Sequence, residues 1–204
     1  MNLKKIKPEV AQWLNDLGAT TATELQEETW SLIKSGVTTA VLAPKGSGKT
    51  TALAMHVAQK LDGAHEQSPR ALVLLPDNPA VDAFVLNTTS LFISLDLKLY
   101  PVYDKRDIDV EKNEISEGID ILVAPISKAA LIFAGAGFNA NRLKIIAVDQ
   151  LEDMVATRNE TKLLRILDSI FVGQRLIFAE KYNEKIEMVI DRVCEEGEIF
   201  DYLD

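Results

Sequence analysis

The run Ala43-Pro44-Lys45-Gly46-Ser47-Gly48-Lys49-Thr50 has the residue types and spacing of a phosphate-binding loop. In such a loop glycines let backbone N–H groups turn inward around a β-phosphate, and the start of the next helix adds its dipole. Lys49 is placed to reach β- and γ-phosphates, and Thr50 to ligate Mg2+. The chemistry needs a strand before the loop and a helix after it. TTAVLA precedes it and TTALAMHVAQKL follows. A Gly-Ser turn that happens to precede Lys-Thr is the plain alternative, and the flanks favour the loop. Position 43 is Ala where many such loops have Gly. Asp149 ends the apolar run 143–148, where the second strand of such a site presents a magnesium-directed carboxylate. The contacts to nucleotide are therefore expected from Lys45, Gly46, Ser47, Gly48, Lys49, Thr50 and Thr51, with Thr50 and Asp149 toward the metal.

The elements that must hold these residues alternate. Short apolar runs at 39–43, 71–75, 97–102, 119–124, 143–148 and 175–178 are separated by amphipathic stretches, among them 50–61, 80–92 and 162–171. Strands apolar on both faces and alternating with helices predict an α/β fold, a mainly parallel sheet with helices on both faces. Two helical patterns come first. Pro8 suits a first turn, Val10, Trp13, Leu14 and Leu17 share a face, and Gly18 is a stop. Thr23 can cap a second helix carrying Leu25, Thr29, Leu32 and Ile33, with Gly36 as its stop. Residues 1–36 are thus expected as a helical region packed on a core of 37–204, one compact domain. Trp13 and Trp30 are expected in the core.

Composition excludes other classes. Hydrophobic residues make up 47% and charged ones 26% of 204 residues, which argues against disorder. The lone Cys194 rules out a disulfide scaffold and suits a reducing compartment. Its acidic neighbours should raise the thiol pKa. No apolar stretch approaches the ~20 residues that cross a bilayer, and MNLKKIKPEV has no apolar stretch behind its lysines. A cytoplasmic protein is expected. Net charge is −9, whereas proteins living on the phosphate backbone are usually basic. Residues 184–204 hold eight acids against two bases, and 104–120 seven against three. Both read as solvated helix faces or tails. Gly135-x-Gly137-x-x-Ala140 imitates a dinucleotide fingerprint but follows a helical pattern, so a helix stop is expected. His56 and His65 have no ligand-spaced partners, and His56 is expected to be packed or satisfied rather than a ligand.

The ordered set of motifs resembles the first of the two RecA-like lobes of DEAD-box RNA helicases, over about residues 8–193. Ala-x-x-Gly-x-Gly-Lys-Thr is similar to that family's phosphate loop, and Val148-Asp149-Gln150-Leu151-Glu152-Asp153-Met154 to the stretch that names it. Gly18-Ala19-Thr20-Thr21-Ala22-Thr23-Glu24-Leu25-Gln26 resembles the adenine-recognising Q motif, and Asp120-Ile121-Leu122-Val123-Ala124 the strand before an RNA-contacting motif. The resemblance implies ATP or ADP with Mg2+ as cofactors and Gln26 as an adenine contact. Thr23-x-x-Gln26 is also a capping-box spacing, which explains Gln26 without a ligand.

The departures are as informative. Asp-Glu-Ala-Asp is here Asp149-Gln150-Leu151-Glu152, so the Glu that orients the attacking water in the family is Gln150, which cannot accept a proton. Glu152, longer than the family's Asp, could serve as a displaced base, leaving Gln150 and Glu152 as the catalytic positions. Pro-Thr-Arg-Glu-Leu is replaced by Pro76-Asp77-Asn78-Pro79-Ala80, Thr-Pro-Gly-Arg by Pro125-Ile126-Ser127-Lys128, and Ser-Ala-Thr by Ala179-Glu180-Lys181. Tyr103-Asp104-Lys105-Arg106 lacks the expected Gly pair. The nucleotide half of the pattern is kept and the RNA half is not, and the arginine finger of a second lobe is not expected from these residues. Three readings stay open. One is a nucleotide-binding interaction module with weak hydrolysis and a protein partner or second RecA-like lobe. Another is a nucleic-acid-dependent ATPase lobe completed from elsewhere. The last is a structural domain that keeps the loop unused. RNA binding is expected to be weak or absent in isolation.

Overall fold

A computed structural model describes residues 3–19, 21–64, 68–171 and 173–203. Thr20 and His65 lie outside them. Two helices open the chain, α1 (Pro8–Asp16) and α2 (Glu24–Ser35). The alternating part follows as β1 (Thr39–Leu42), α3 (Lys49–Lys60), β2 (Ala71–Leu75), α4 (Asn78–Ser94), β3 (Leu99–Pro101), α5 (Ile108–Ser116), β4 (Ile121–Pro125), α6 (Ile126–Ala134), β5 (Ile145–Val148), α7 (Leu151–Ala156), α8 (Glu160–Ser169), β6 (Arg175–Ala179), α9 (Glu184–Val193) and β7 (Glu198–Asp201). Among the described residues the strands form one seven-stranded sheet in the order β3-β4-β2-β5-β6-β1-β7, and every pairing is parallel.

Alternation of side chains along each strand divides the core in two. Val41, Val73, Val123, Ala147 and Phe178 face a cluster with Leu14, Trp30, Leu53 and Phe84 of α1 to α4. Leu42, Leu74, Ala124, Val148 and Ile177 face a second cluster with Ile126, Met154, Leu163 and Val189 of α6 to α9. Strands covered on both sides read as near-continuous apolar runs, which is why the sequence pattern located them. Trp13 and Trp30 are both buried. No helix among the described residues is long and apolar enough to cross a membrane.

The helix ends follow local chemistry. α2 starts on a formed capping box and ends at Gly36, left-handed with φ 98°. α6 stops through Ala136, left-handed with φ 50°, and the Gly137 N–H returns to the Ile132 carbonyl at 2.9 Å. Gly135 and Gly137 therefore belong to a helix stop, as their spacing after an apolar helix implied. One expectation needs correction and another needs extension. β3 is shorter than 97–102: it is an edge strand of three residues, Leu99–Pro101, and its Pro101 sits where a missing N–H costs no ladder bond, since the Val102 N–H still reaches the Val123 carbonyl at 2.9 Å. In the segment 184–204 the described acids lie on a solvated face as expected, but the segment also carries a buried face and a strand. α9 buries Ile186, Val189, Ile190 and Val193, and β7 then pairs with β1. β7 is an edge strand with exposed Glu198 and Asp201, charges that discourage further strands from adding.

Candidate nucleotide-binding site

The loop from Ala43 to Gly48 leaves the C-terminal end of β1 and delivers α3. Gly46 and Gly48 are left-handed, with φ 82° and 92°, which only glycine adopts without cost. Gly48 has a second constraint: a Cβ there would stand 3.0 Å from Gln26 Nε2. It is also the N-cap of α3 and offers no side-chain cap, so the first N–H groups of α3 have none. Ser47 Oγ is buried with no hydrogen-bond partner among the described residues.

Lys49 is buried, and its Nζ donates to the carbonyls of Ala43 (2.7 Å) and Pro44 (2.8 Å). Burial holds the ammonium below the usual lysine range, opposed first by Glu180 and then by Asp149 and Glu152. Thr50 Oγ1 donates to Asp149 Oδ2 at 2.6 Å, joining the start of α3 to the end of β5 across the sheet. Asp149 Oδ1 accepts from the Gln150 N–H at 3.0 Å. Burial pushes the Asp149 carboxyl above the usual range, against the bonds from Thr50 and Gln150. Gln150 itself is left-handed, with φ 57° and ψ 48°, at the N-cap of α7. A non-glycine residue held there stores strain of order 1–3 kcal/mol, and such strain concentrates at functional sites.

Glu152 is buried, and its Oε2 accepts from the Glu180 N–H at 2.9 Å. Burial is the main cause raising its carboxyl pKa, and the Glu180 N–H opposes it. This side chain ties α7 to the end of β6. A cavity of about 510 Å³ lies over the C-terminal ends of β1, β5 and β6. Lys45, Gly46, Gly48, Lys49, Thr50 and Thr51 line it from the loop and α3, and Asp149, Gln150 and Glu152 from the β5 side. All but two of the site residues singled out in the sequence meet around this one cavity. Gln26 and Ser47 are not among its lining residues. Gln26 touches the loop at Gly48, while its Oε1 accepts the Thr23 N–H (3.1 Å) and its N–H reaches Thr23 Oγ1 (3.4 Å). The capping box is real.

Glu180 and Lys181 also line the cavity, and neither was expected there. The available signal was an acid at the end of an apolar run, the same that singled out Asp149. Elsewhere, His56 is fully buried against Trp30, ring centroids 5.3 Å apart, and burial lowers its pKa to about 3. Neither ring nitrogen has a partner among the described residues, so it is packed rather than satisfied. The Cys194 thiol is pushed up to about 11, mainly by burial and only secondarily by Asp191. The expected direction holds, for a different main reason.

Comparisons with known proteins agree with this arrangement. The DEAD/DEAH box helicase family model matches residues 23–185. The ATP-dependent RNA helicase RhlB of Vibrio campbellii is 23% identical over 155 residues, covering 73% of this chain and 36% of that protein. The pre-mRNA-processing ATP-dependent RNA helicase PRP5 of Lodderomyces elongisporus is 22% identical, covering 88% and 19%. The chain therefore spans about a third or less of these curated relatives. Among solved structures, a hypothetical ATP-dependent RNA helicase from Sulfolobus tokodaii superposes with a TM-score of 0.81 at 21% identity, over 94% of this chain and 56% of that one. S. cerevisiae dbp5 bound to gle1 and ip6 gives 0.86 at 14% identity, over 98% and 51%. These likenesses establish the RecA-like fold. With the family model covering most of the sequence, the loop included, the chain belongs to the DEAD/DEAH box helicase family.

Proposed function

We propose that this lobe binds ATP or ADP with Mg2+, hydrolyses ATP poorly, and works as a nucleotide-dependent interaction module toward a protein partner or a second RecA-like lobe. The observation that carries the reading is the Thr50–Asp149 bond at 2.6 Å beside a buried Lys49. A hydroxyl and a carboxylate in contact are the donor set a phosphate-bound Mg2+ takes. The uncapped start of α3, the orphaned Ser47 hydroxyl and the left-handed glycines suit a phosphate group equally well. Bound Mg2+ supplies charge neutralisation to the phosphates. In this reading Lys49 exchanges loop carbonyls for phosphate oxygens, and Gln26 offers its Nε2 to the base while Oε1 keeps the cap.

Poor hydrolysis follows from Gln150. Its amide can orient water but cannot take a proton, a contribution typically worth ~10²–10⁴-fold. Glu152 is a weak substitute, since its carboxylate is engaged with the Glu180 N–H. A cytoplasmic setting and a hydrolase ancestry belong to the same reading.

Weak RNA binding is supported by what has become of the RNA-facing motifs. Ser127 Oγ donates to Asp104 Oδ1, the Asp104 N–H donates to Asn78 Oδ1 (3.1 Å), and the buried Lys128 donates to the Arg106 carbonyl. These groups bond one another, and an aspartate sits among them. The relatives' names, ATP-dependent RNA helicases, favour a second reading: a nucleic-acid-dependent ATPase completed by another lobe.

Melting with millimolar Mg-ATP or Mg-ADP tests nucleotide binding. A ligand at a hundredfold excess over Kd adds about 2.7 kcal/mol, roughly 5–10 °C for a chain of this length. Lys49→Ala should lose that shift. A wild-type melting temperature indifferent to both nucleotides contradicts the proposal.

A further inference from the structure

The cavity holds a carboxylate that the family's pattern does not have. Glu180 stands at the middle position of the family's Ser-Ala-Thr, immediately after β6, and β6 lies between β5, which leads into Asp149, and β1, which leads into the loop. Its Oε1 is 3.8 Å from Lys49 Nζ. The other buried acids of the cavity are committed: Asp149 to Thr50 and the Gln150 N–H, and Glu152 to the Glu180 N–H. Among the described residues Lys49 is the one ionic partner of the Glu180 side chain, which remains partly exposed to the cavity.

We infer that Glu180 sets the charge of the nucleotide this site accepts, biasing it toward a nucleoside diphosphate and against a triphosphate. The inference rests on the nucleotide reading above. A phosphate-loop lysine serves the β- and γ-phosphates, so any phosphate drawn to Lys49 approaches the carboxylate already beside it. Like charges a few ångströms apart repel strongly where water is partly excluded. The triphosphate brings one phosphate more than the diphosphate, and meets more of that repulsion. Lys45 and Lys181 also line the cavity, but both are exposed and screened, whereas Lys49 is buried. The ammonium whose charge matters most for the phosphates is therefore the one Glu180 partly neutralises.

The test is calorimetric titration of the full chain with Mg-ADP and with Mg-ATP, for wild type, Glu180→Gln and Glu180→Ala. The first substitution removes the charge at nearly constant shape, and the second installs the family's residue. Melting without nucleotide establishes that each variant is folded. The Kd ratio of ATP to ADP should fall about tenfold in at least one folded variant, mainly through tighter ATP binding. An unchanged ratio in the folded variants, with both nucleotides still bound, overturns the inference and leaves the nucleotide reading intact. Absence of binding of either nucleotide to wild type overturns the nucleotide reading itself, and this inference with it.

Discussion

Gln150 is the residue on which the proposed chemistry turns. Its left-handed backbone is imposed from both sides, by the end of β5 and the start of α7, and its own N–H is bonded to Asp149. Side-chain replacement there changes proton acceptance while leaving that backbone bond in place. Gln150→Glu should therefore raise single-turnover ATP hydrolysis modestly, since the arginine of a second lobe is still not supplied by these residues. Glu152→Gln should change the rate little, because an amide oxygen can still accept the Glu180 N–H. Rapid wild-type turnover that collapses in Glu152→Gln would show that the base has moved to position 152. At this scale local spacing singled out Lys49 and Thr50, and the end of an apolar run singled out Asp149, three residues that line one cavity. The sequence was a poor guide to Glu180, which meets Lys49 only because β6 lies next to β1. Nor could the left-handed conformation of Gln150 be read, since a glutamine has no preference for it.

Among the elements, α2 shows how one side chain can serve two masters. Gln26 closes the capping box with Oε1 and lies against Gly48 with Nε2. Gln26→Ala should lower the stability of the nucleotide-free protein by about 1 kcal/mol, the usual worth of such a bond. It should also weaken ATP more than GTP, because only the adenine edge loses its partner. Equal losses for the two nucleotides would leave capping as the whole account. Most elements were legible because buried parallel strands announce themselves as apolar runs, and α1 and α2 through Pro8, Thr23 and Gly36. β7 was not. Its four residues are largely exposed and carry no alternating pattern, and they become a strand only because the edge of β1 is available. The hydrogen bonds of Asn78, Asp104 and Ser127 were equally hidden, since each comes from a different loop or helix end.

The whole molecule places one polar cavity at the C-terminal edge of a sheet whose two faces are sealed by separate apolar clusters. Ligands of open α/β sheets bind at that edge. The proposed weak binding of nucleic acid is in keeping with a net charge of −9 and with the acidic stretch 104–120, whose Asp104 accepts from Ser127. Nucleotide binding and nucleic-acid response are therefore expected to be uncoupled. The measurement that bears on this most directly is ATP affinity and single-turnover hydrolysis determined together, with and without single-stranded RNA at physiological salt. Mg-ATP should bind, hydrolysis should be slow, and RNA should bind weakly with a shallow salt dependence and leave the rate unchanged. Sub-micromolar RNA affinity accompanied by a marked acceleration of hydrolysis would contradict the proposal, and would establish a working nucleic-acid-dependent ATPase lobe instead.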